Sequence, residues 1–289
     1  MEQVLRVARE LREVHDFRGY IHLKTIPDAD PLLIEQAGRY ADRLSINIEL
    51  PTEAGLKHLA PEKDRTGIKK TMARVRQHCE QAADERRRLR TAPQFAPAGQ
   101  STQMIVGADA ASDFDILKTS TTLYGSYGLK RVYYSAFSPI PDASARLPLA
   151  APPLIREHRL YQADWLLRFY GFGLDEIVSG GARPMLDLDK DPKLAWALAH
   201  RGRFPVDVNR ADRETLLRIP GLGVKSVDKM LAARRWSTLG LEDVRRIAGR
   251  IRTMQPFIET PDWRPSSLID KAGLGGLVQA QPQQLPLFA

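Results

Sequence analysis

The chain has 289 residues, which suggests two domains, and 43% of them are hydrophobic, enough to form a real core. Its formal net charge of +8 lies mainly in two basic segments, a distribution that favours a polyanionic partner. The single cysteine, Cys79, excludes an internal disulfide and a multi-cysteine metal site. The sequence lacks a long apolar run and starts with a charged amphipathic segment, so we expect a cytoplasmic protein with no membrane partner.

The first half of the chain alternates between helical and extended patterns. Apolar residues at helical spacing predict four helices, over 2–15, 31–41, 64–90 and 113–124. Short apolar or alternating runs predict four strands, over 19–24, 44–50, 103–107 and 130–135. Strands that alternate with helices indicate a parallel sheet, open or closed into a barrel. Such sheets bind ligands at the carboxyl ends of their strands, where this chain carries polar residues, as many α/β proteins do.

The middle and the end of the chain are less regular. Residues 142–204 are predicted to connect two domains through a Pro- and Ala-rich segment, a helix over 154–170 and further short elements. The aromatic residues of that helix favour burial in a core over a stacking surface for nucleic acid. Residues 259–289 are assigned to a flexible tail, because the sequence becomes rich in Pro and Gln after 264.

The most informative pattern lies at 216–227, within a predicted domain over 205–258. A short amphipathic helix leads into the turn Pro220–Gly223, and a second helix follows. Such a turn exposes backbone N–H groups at a helix N-terminus, which is a favourable place for a phosphate oxygen. We expect a bulkier residue at Gly223 to harm both the turn and the close approach of a ligand to the backbone.

Basic residues accompany this hairpin, since residues 201–260 contain 13 Lys and Arg against 7 Asp and Glu. The predicted DNA-binding residues belong to the turn and the second helix: Gly221, Leu222, Gly223, Val224, Lys225, Lys229, Arg234 and Arg235. Phosphate contacts carry no sequence information, so we expect sequence-tolerant binding. The alternative is a helical hairpin that packs against the rest of the protein or a partner. A second basic segment, 65–90, is either a solvated helix face or a further contact.

Several runs along the chain together resemble one family. They are GYIHLKTIP at 19–27, YADRLSINIELP at 40–51, LAPEK at 59–63, QMIVGA at 103–108, RVYYSAFSPIP at 131–141, REHRLYQADWLLRFYGF at 156–172 and FPVDVN at 204–209. They resemble DNA modification/repair radical SAM proteins over nearly all of residues 1–260. The resemblance implies an α/β fold, with a partial radical SAM (TIM-like) parallel barrel over 1–141 and a small all-α helix-hairpin-helix domain over 205–258. The latter segment is similar to competence-type DNA-binding hairpins.

The resemblance implies two cofactors, S-adenosylmethionine and a [4Fe–4S] cluster. Three thiolates hold such a cluster, usually in a C-x3-C-x2-C loop. Cys79 has no neighbouring cysteine, so we expect an inert thiol, and the six histidines show no metal-ligand spacing. The chain begins at what would be the second helix of the barrel. We therefore expect a cluster-bearing segment upstream of residue 1 or on a separate partner.

The resemblance also places the later part of an S-adenosylmethionine site in this chain. Asn47 and Glu49 would face the ribose or the methionine end of the cofactor. Gly107 and Ala108 would lie against its adenine, and Ser135 would complete that wall. The alternative for Asn47 and Glu49 is that they only satisfy backbone groups at a barrel rim. The sequence assigns no catalytic residue and no metal ligand.

Three interpretations of function follow. The first is the C-terminal portion of a radical SAM enzyme that modifies or repairs DNA and grips the DNA backbone through the hairpin. The second is a non-catalytic DNA-binding protein on a residual α/β scaffold. The third is a mis-started or degraded gene product with little stability of its own, since an incomplete barrel leaves strand edges unpaired.

Overall fold

The computed structural model describes residues 1–26, 28–142, 144–178, 184–249 and 251–278. The chain forms two compact units. Unit 1 comprises Met1–Leu160 and Gly180–Met185, and unit 2 comprises Tyr161–Ser179 and Leu186–Ala289. The division falls inside one helix, within the segment 142–204 that the sequence predicts to be a connection. No helix in the described ranges combines the length and the apolar character that crossing a membrane requires.

Unit 1 is a parallel α/β structure. Its helices are α1 (Glu2–Glu13), α2 (Pro31–Tyr40), α3 (Glu53–Leu59), α4 (Arg65–Arg88), α5 (Asp113–Tyr127) and the start of α6 (Leu154–Phe169). Its strands are β1 (His22–Lys24), β2 (Arg43–Ser45), β3 (Gln100–Val106) and β4 (Arg131–Ala136). The strands lie in sequential order and all neighbours are parallel, so the predicted α/β class with a parallel sheet is confirmed.

The two faces of this sheet differ in polarity. One face is buried and mainly apolar, with 0% exposure at Leu44, Ile46, Met104 and Val132, and it also carries the buried polar residues Gln100 and Thr102. Helix α2 contacts β2 and helix α4 contacts β3, and both contribute buried apolar side chains. Alternate residues of the same strands carry polar side chains on the opposite face, as the two-residue period of a strand requires.

Strand β2 is shorter than the predicted strand over 44–50. Beyond Ser45, the N–H of Ile48 donates to the hydroxyl of Thr102 at 2.9 Å rather than to a strand carbonyl. Glu49 then adopts a φ of +62° and forms an isolated bridge with Met104. A side-chain acceptor and a left-handed residue therefore interrupt the regular ladder, although the apolar alternation continues to Ile48.

Capping residues define both ends of helix α5. Ser112 is its N-cap and forms a capping box with Asp115. The helix continues to Tyr127, beyond the predicted end at 124, because Gly128 supplies the left-handed C-cap with a φ of +63°. Helix α3, which the sequence patterns did not predict, starts at the N-cap Thr52, whose hydroxyl accepts from the N–H of Gly55 at 3.0 Å.

A buried ion pair joins α5 to α6 within unit 1. The Nε of Arg156 lies 2.8 Å from the Oδ1 of Asp113, whose side chain is 0% exposed. The Nη2 of Arg156 also donates to the carbonyl of Ala111 at 3.0 Å. Because both charges are removed from water, each depends on the other for compensation.

Unit 2 contains short helices around a small sheet. After α6 come α7 (Leu174–Ile177), α8 (Pro192–Ala199), α9 (Arg213–Arg218), α10 (Val224–Ala233), α11 (Leu241–Ala248), α12 (Ile251–Met254) and α13 (Leu274–Val278), with 3-10 turns at 201–203, 255–257 and 266–268. Strands β5 (Val206–Asp207) and β6 (Ile258–Glu259) pair in parallel. The hairpin helices therefore belong to a unit with a two-stranded sheet, not to an all-α domain.

The segment after 259 contributes to the core of unit 2. Ile269, Leu274 and Val278 are at most 6% exposed and belong to the same apolar cluster as Phe257. Residues up to 278 are thus packed, where composition predicts a flexible tail, because a few apolar side chains suffice to anchor a Pro-rich segment. The remainder of the predicted tail, 279–289, lies outside the described residues.

Candidate nucleic-acid interface

The predicted hairpin forms from α9, the turn at 219–223 and α10. Ile219 and Leu222 are at most 2% exposed, and Val227 of α10 is 0% exposed. The apolar residues of the turn therefore point into unit 2 and hold the two helices together. The intervening glycines lie nearer the surface, with Gly221 exposed and Gly223 partly exposed.

The two glycines of the turn have different roles. Gly221 has a φ of +84°, and a Cβ there would lie 3.0 Å from the Cγ of Met254. Gly223 has a φ of −98°, and a Cβ there would meet only the Tyr170 hydroxyl, at 3.7 Å. The turn therefore requires glycine at Gly221, and the prediction that Gly223 is needed for the turn itself is wrong. A small side chain at Gly223 would alter only the surface that a ligand meets.

The start of α10 carries backbone donors without protein partners in the described ranges. Its N-cap, Gly223, has no side chain to accept a hydrogen bond, and the N–H groups of Val224, Lys225 and Ser226 make none with described residues. The predicted donor Leu222 differs, because its N–H donates to the carbonyl of Ile219 at 3.2 Å within the turn. Leu222, one of the predicted DNA-binding residues, is therefore buried and offers no free backbone donor to a phosphate.

At the neighbouring helix α11, carboxylate side chains accept hydrogen bonds from the backbone N–H groups of the N-terminus. The N–H of Leu241 donates to Asp262 at 2.9 Å, and the N–H of Gly240 donates to Asp243 at 3.1 Å. Carboxylates thus occupy the positive end of α11, whereas no described side chain fills that position at α10.

Three of the four predicted cations lie at the surface around α10. Lys225, Lys229 and Arg235 are exposed and take part in none of the ion pairs between described residues. Lys225 and Lys229 are four residues apart and share one face of the helix. Arg234 points inward instead, and its Nη1 donates to the carbonyls of Val208 at 3.0 Å and Ala211 at 2.6 Å. The side chain of Arg234 therefore stabilises the loop before α9. Its predicted role in DNA binding is wrong, because the guanidinium is used within unit 2.

The second basic segment forms α4, and several of its arginines serve the fold of unit 1. Arg65 donates to the carbonyls of Leu50 and Pro51 at 3.2 and 2.7 Å. Arg86 donates to Ala92 at 2.6 Å, and Arg76 to Ser126 at 2.8 Å. These bonds favour the interpretation of 65–90 as a structural and solvated helix over a further contact with DNA.

A cavity of about 440 Å³ opens on the polar face of the sheet in unit 1. The side chains around it come from all four strands or their ends: His22, Lys24, Ser45, Asn47, Gln103 and Tyr133. The Oγ of Ser45 donates to the Oδ1 of Asn47 at 3.2 Å, and the Nδ2 of Asn47 donates to the Oε1 of Gln103 at 3.4 Å. Burial, together with the charge of Arg43, lowers the pKa of His22.

Of the residues predicted to hold S-adenosylmethionine, only Asn47 lines this cavity. The carboxylate of Glu49 is paired with the Nζ of Lys63 at 2.8 Å. A Cβ on Gly107 would lie 2.7 Å from the Cγ of Pro152, so the proline ring covers that glycine, and Ala108 is buried. Ser135 is half-buried on the same face as Tyr133, two residues further along β4. Ser45, Gln103 and Tyr133 were not predicted as site residues, although each is a polar residue at an alternate strand position.

The thiol of Cys79 does not resemble a cluster ligand. It is half-buried on α4, and burial raises its pKa to about 11, which keeps the thiol protonated. Among the described residues, no group of three His, Cys, Asp or Glu side chains is arranged to hold a metal ion. One cysteine cannot supply three thiolates, so the residues of this chain do not fit a [4Fe–4S] cluster.

A buried lysine lies beside the hairpin turn in unit 2. Lys193, in the first turn of α8, is 7% exposed, and its Nζ donates to the carbonyl of Leu222 at 2.6 Å. The Nζ also lies 4.8 Å from the ring centre of Tyr170. Burial lowers the pKa of Lys193 to about 7, and the nearby Asp191 opposes that shift. Lys193 was not predicted as a site residue, although it is charged and lies in the first turn of an otherwise apolar helix.

Comparisons of the chain with family models, with curated proteins and with solved structures give no match.

Proposed function

We propose that unit 2 binds the phosphate backbone of DNA through the hairpin of α9 and α10. The observation that carries this proposal is the set of N–H groups of Val224, Lys225 and Ser226, which have no partner among the described residues. These donors lie at the positive end of a ten-residue helix, where an anion is stabilised. The exposed Lys225 and Lys229 extend from the same helix and would neutralise adjacent phosphates.

This mode of binding has two consequences. Contacts to phosphate groups fix the position of a protein on DNA without reading bases, so affinity should vary little with sequence. Each neutralised phosphate releases counterions, so affinity should fall steeply as salt concentration rises.

The double variant Lys225→Ala/Lys229→Ala tests the proposal. We expect its affinity for a mixed-sequence 20-base-pair duplex to fall about tenfold or more at low salt. The slope of log K against log salt should shrink by about two, because each lost phosphate contact removes about one unit. Fluorescence anisotropy titrations at several salt concentrations measure both quantities.

The matched control is Arg264→Ala/Lys271→Ala, which removes two exposed positive charges from unit 2 that belong to neither the turn nor α10. We expect this variant to retain most of the wild-type affinity and salt slope. An equal loss in the two double variants would show that net charge alone attracts DNA, and it would contradict the hairpin proposal.

We further propose that unit 1 is related to the radical SAM barrels. Support comes from the parallel strands in sequential order, with helices against the apolar face and a polar cavity on the other. Asn47, Gln103 and Lys24 offer the donors and acceptors that an amino acid joined to a nucleoside requires. The missing thiolates would have to come from a separate cluster-bearing partner, so we assign no reaction step to this chain. Without such a partner, the protein would act as a non-catalytic DNA-binding protein.

Equilibrium dialysis with labelled S-adenosylmethionine tests this second proposal. We expect the wild-type chain to bind it and Asn47→Ala to bind it about tenfold more weakly, the effect of losing one or two hydrogen bonds. Ser138→Ala, at an exposed position after β4 and outside the cavity lining, is the control and should bind as the wild type does. If the wild type does not bind S-adenosylmethionine, the proposal for unit 1 is contradicted. The proposal that unit 2 binds DNA is unaffected by that result.

A further inference from the structure

A second cavity of about 440 Å³ lies entirely within unit 2, beside the hairpin turn. Its volume falls within the range of about 300–1,000 Å³ typical of small-molecule sites. One wall is formed by α6 and the residue that follows it, and another by α8 and the turn itself. The turn residues Gly221–Gly223 line the cavity, and they are followed directly by the first N–H groups of α10. The cavity is therefore adjacent to the candidate phosphate site.

The walls of this cavity are aromatic. Tyr161, Trp165 and Tyr170 all line it. Trp165 is 48% exposed, although tryptophan is usually well buried, and its ring lies 4.9 Å from that of Phe169. A planar ligand that covered the free part of the indole would remove that apolar surface from water.

The lining of the cavity also contains polar groups. Lys193 is nine-tenths buried there, with one donor of its Nζ directed to the Leu222 carbonyl at 2.6 Å. A protonated lysine has three N–H donors, and Lys193 makes one hydrogen bond with the described residues, to the Leu222 carbonyl. Asp191 at the rim adds an acceptor. Aromatic walls with a few convergent polar groups match the needs of a heterocyclic base, which has two flat faces and a hydrogen-bonding edge.

We propose that this cavity receives one unpaired nucleobase of a DNA strand whose phosphate lies at the start of α10. This inference rests on the proposed function, since the phosphate contact brings the base to the cavity. A base that remains stacked and paired in a duplex cannot enter a side pocket, so the occupant is a base of single-stranded DNA. Trp165 provides the stacking surface, and the polar groups of Lys193 and Asp191 bind the edge of the base.

The test compares two single strands that carry the same number of phosphates. One is a ten-nucleotide oligothymidine, and the other is a ten-unit strand of tetrahydrofuran abasic sites. We expect the wild-type protein to prefer the strand with bases by about 5-fold to 150-fold, which corresponds to stacking of about 1–3 kcal/mol. Trp165→Ala should abolish that preference, whereas Trp165→Phe should retain most of it. The affinity for a fully paired duplex should be the same in all three proteins.

The control variant Trp236→Ala removes another exposed tryptophan of unit 2, one that does not line the cavity. It should preserve the preference for the strand with bases. Equal affinity of the wild type for the two strands, together with binding to duplex DNA, would overturn this inference and leave the hairpin proposal intact. Absence of binding to all three nucleic acids would overturn both. An equal loss of duplex and single-strand binding in Trp165→Ala would show that the indole acts only in folding, and it would also overturn the inference.

Discussion

Replacement of Asp113 by alanine is expected to lower the free energy of unfolding of unit 1 by about 3–5 kcal/mol. The substitution leaves the guanidinium of Arg156 about nine-tenths buried and without its carboxylate, since the two side chains are 10% and 0% exposed and lie 2.8 Å apart. The guanidinium of Arg156 would then be removed from water without a negatively charged partner, which is unfavourable. Urea denaturation of the full chain, followed by circular dichroism, measures the change.

Two further variants separate the buried charge from general effects of the substitution. Asp113→Ala/Arg156→Met removes both charges and should regain a large part of the lost stability, because no buried charge remains. Glu53→Ala breaks the solvent-exposed pair with Lys57 and should lower the free energy of unfolding far less than Asp113→Ala does. A loss in Asp113→Ala no larger than that in Glu53→Ala would contradict the argument.

The second large effect is a rise in the stability of unit 2 above neutral pH, caused by Lys193. Burial lowers the pKa of this lysine in the folded chain to about 7, from 10.5 in an exposed lysine. Between these two values the unfolded chain holds the proton and the folded chain releases it, so the unfolded state binds more protons and stability increases with pH. Below about pH 7 both states are protonated, and the contribution no longer changes.

The expected size of this rise is about 2 kcal/mol between pH 7 and pH 9, since one pH unit in that window contributes up to about 1.4 kcal/mol. The groups that face Lys193 are Asp191, the Tyr170 ring and the Leu222 carbonyl. Lys193→Met has no proton to release, so its free energy of unfolding should lack this component. The measurement is the difference between wild type and variant in urea unfolding at pH 7, 8 and 9.

Lys225→Met provides the control for Lys193→Met, because Lys225 is exposed on α10. Its stability should follow the wild type across the same pH range. If Lys193→Met and the wild type also ran parallel from pH 7 to pH 9, the ammonium group would titrate as in water and the lysine would not be buried as described.

Much of the fold could be predicted from short-range patterns in the sequence. The alternation of helices and strands in unit 1, the Ser112 N-cap and the two helices of the hairpin all follow from residues within a few positions of one another. The parallel arrangement also follows, because each strand is separated from the next by a helical segment. The candidate phosphate site at the start of α10 was predicted in the same way, from the glycines and the lysines that follow them.

The parts that the sequence did not predict depend on partners far away along the chain. Arg234 lies beside Lys225 and Lys229 in the printed pattern, but its guanidinium is held by carbonyls 23 and 26 residues earlier. The acceptor of Lys193 is 29 residues away, and the ion pair of Asp113 and Arg156 spans 43. Local composition marks all of these residues as charged, and it cannot distinguish a solvated charge from a buried one.

The sequence by itself determined the alternation of helices and strands in unit 1, the two helices of the hairpin, its basic character and the absence of a cysteine triad. Only the tertiary structure decided which glycine the turn requires, which cations remain exposed, and that the cavities are lined by α6, α8 and the polar face of the sheet. The physical reason is that helix periods, caps and turns are governed by neighbouring residues, whereas burial and charge pairing arise when distant segments pack together.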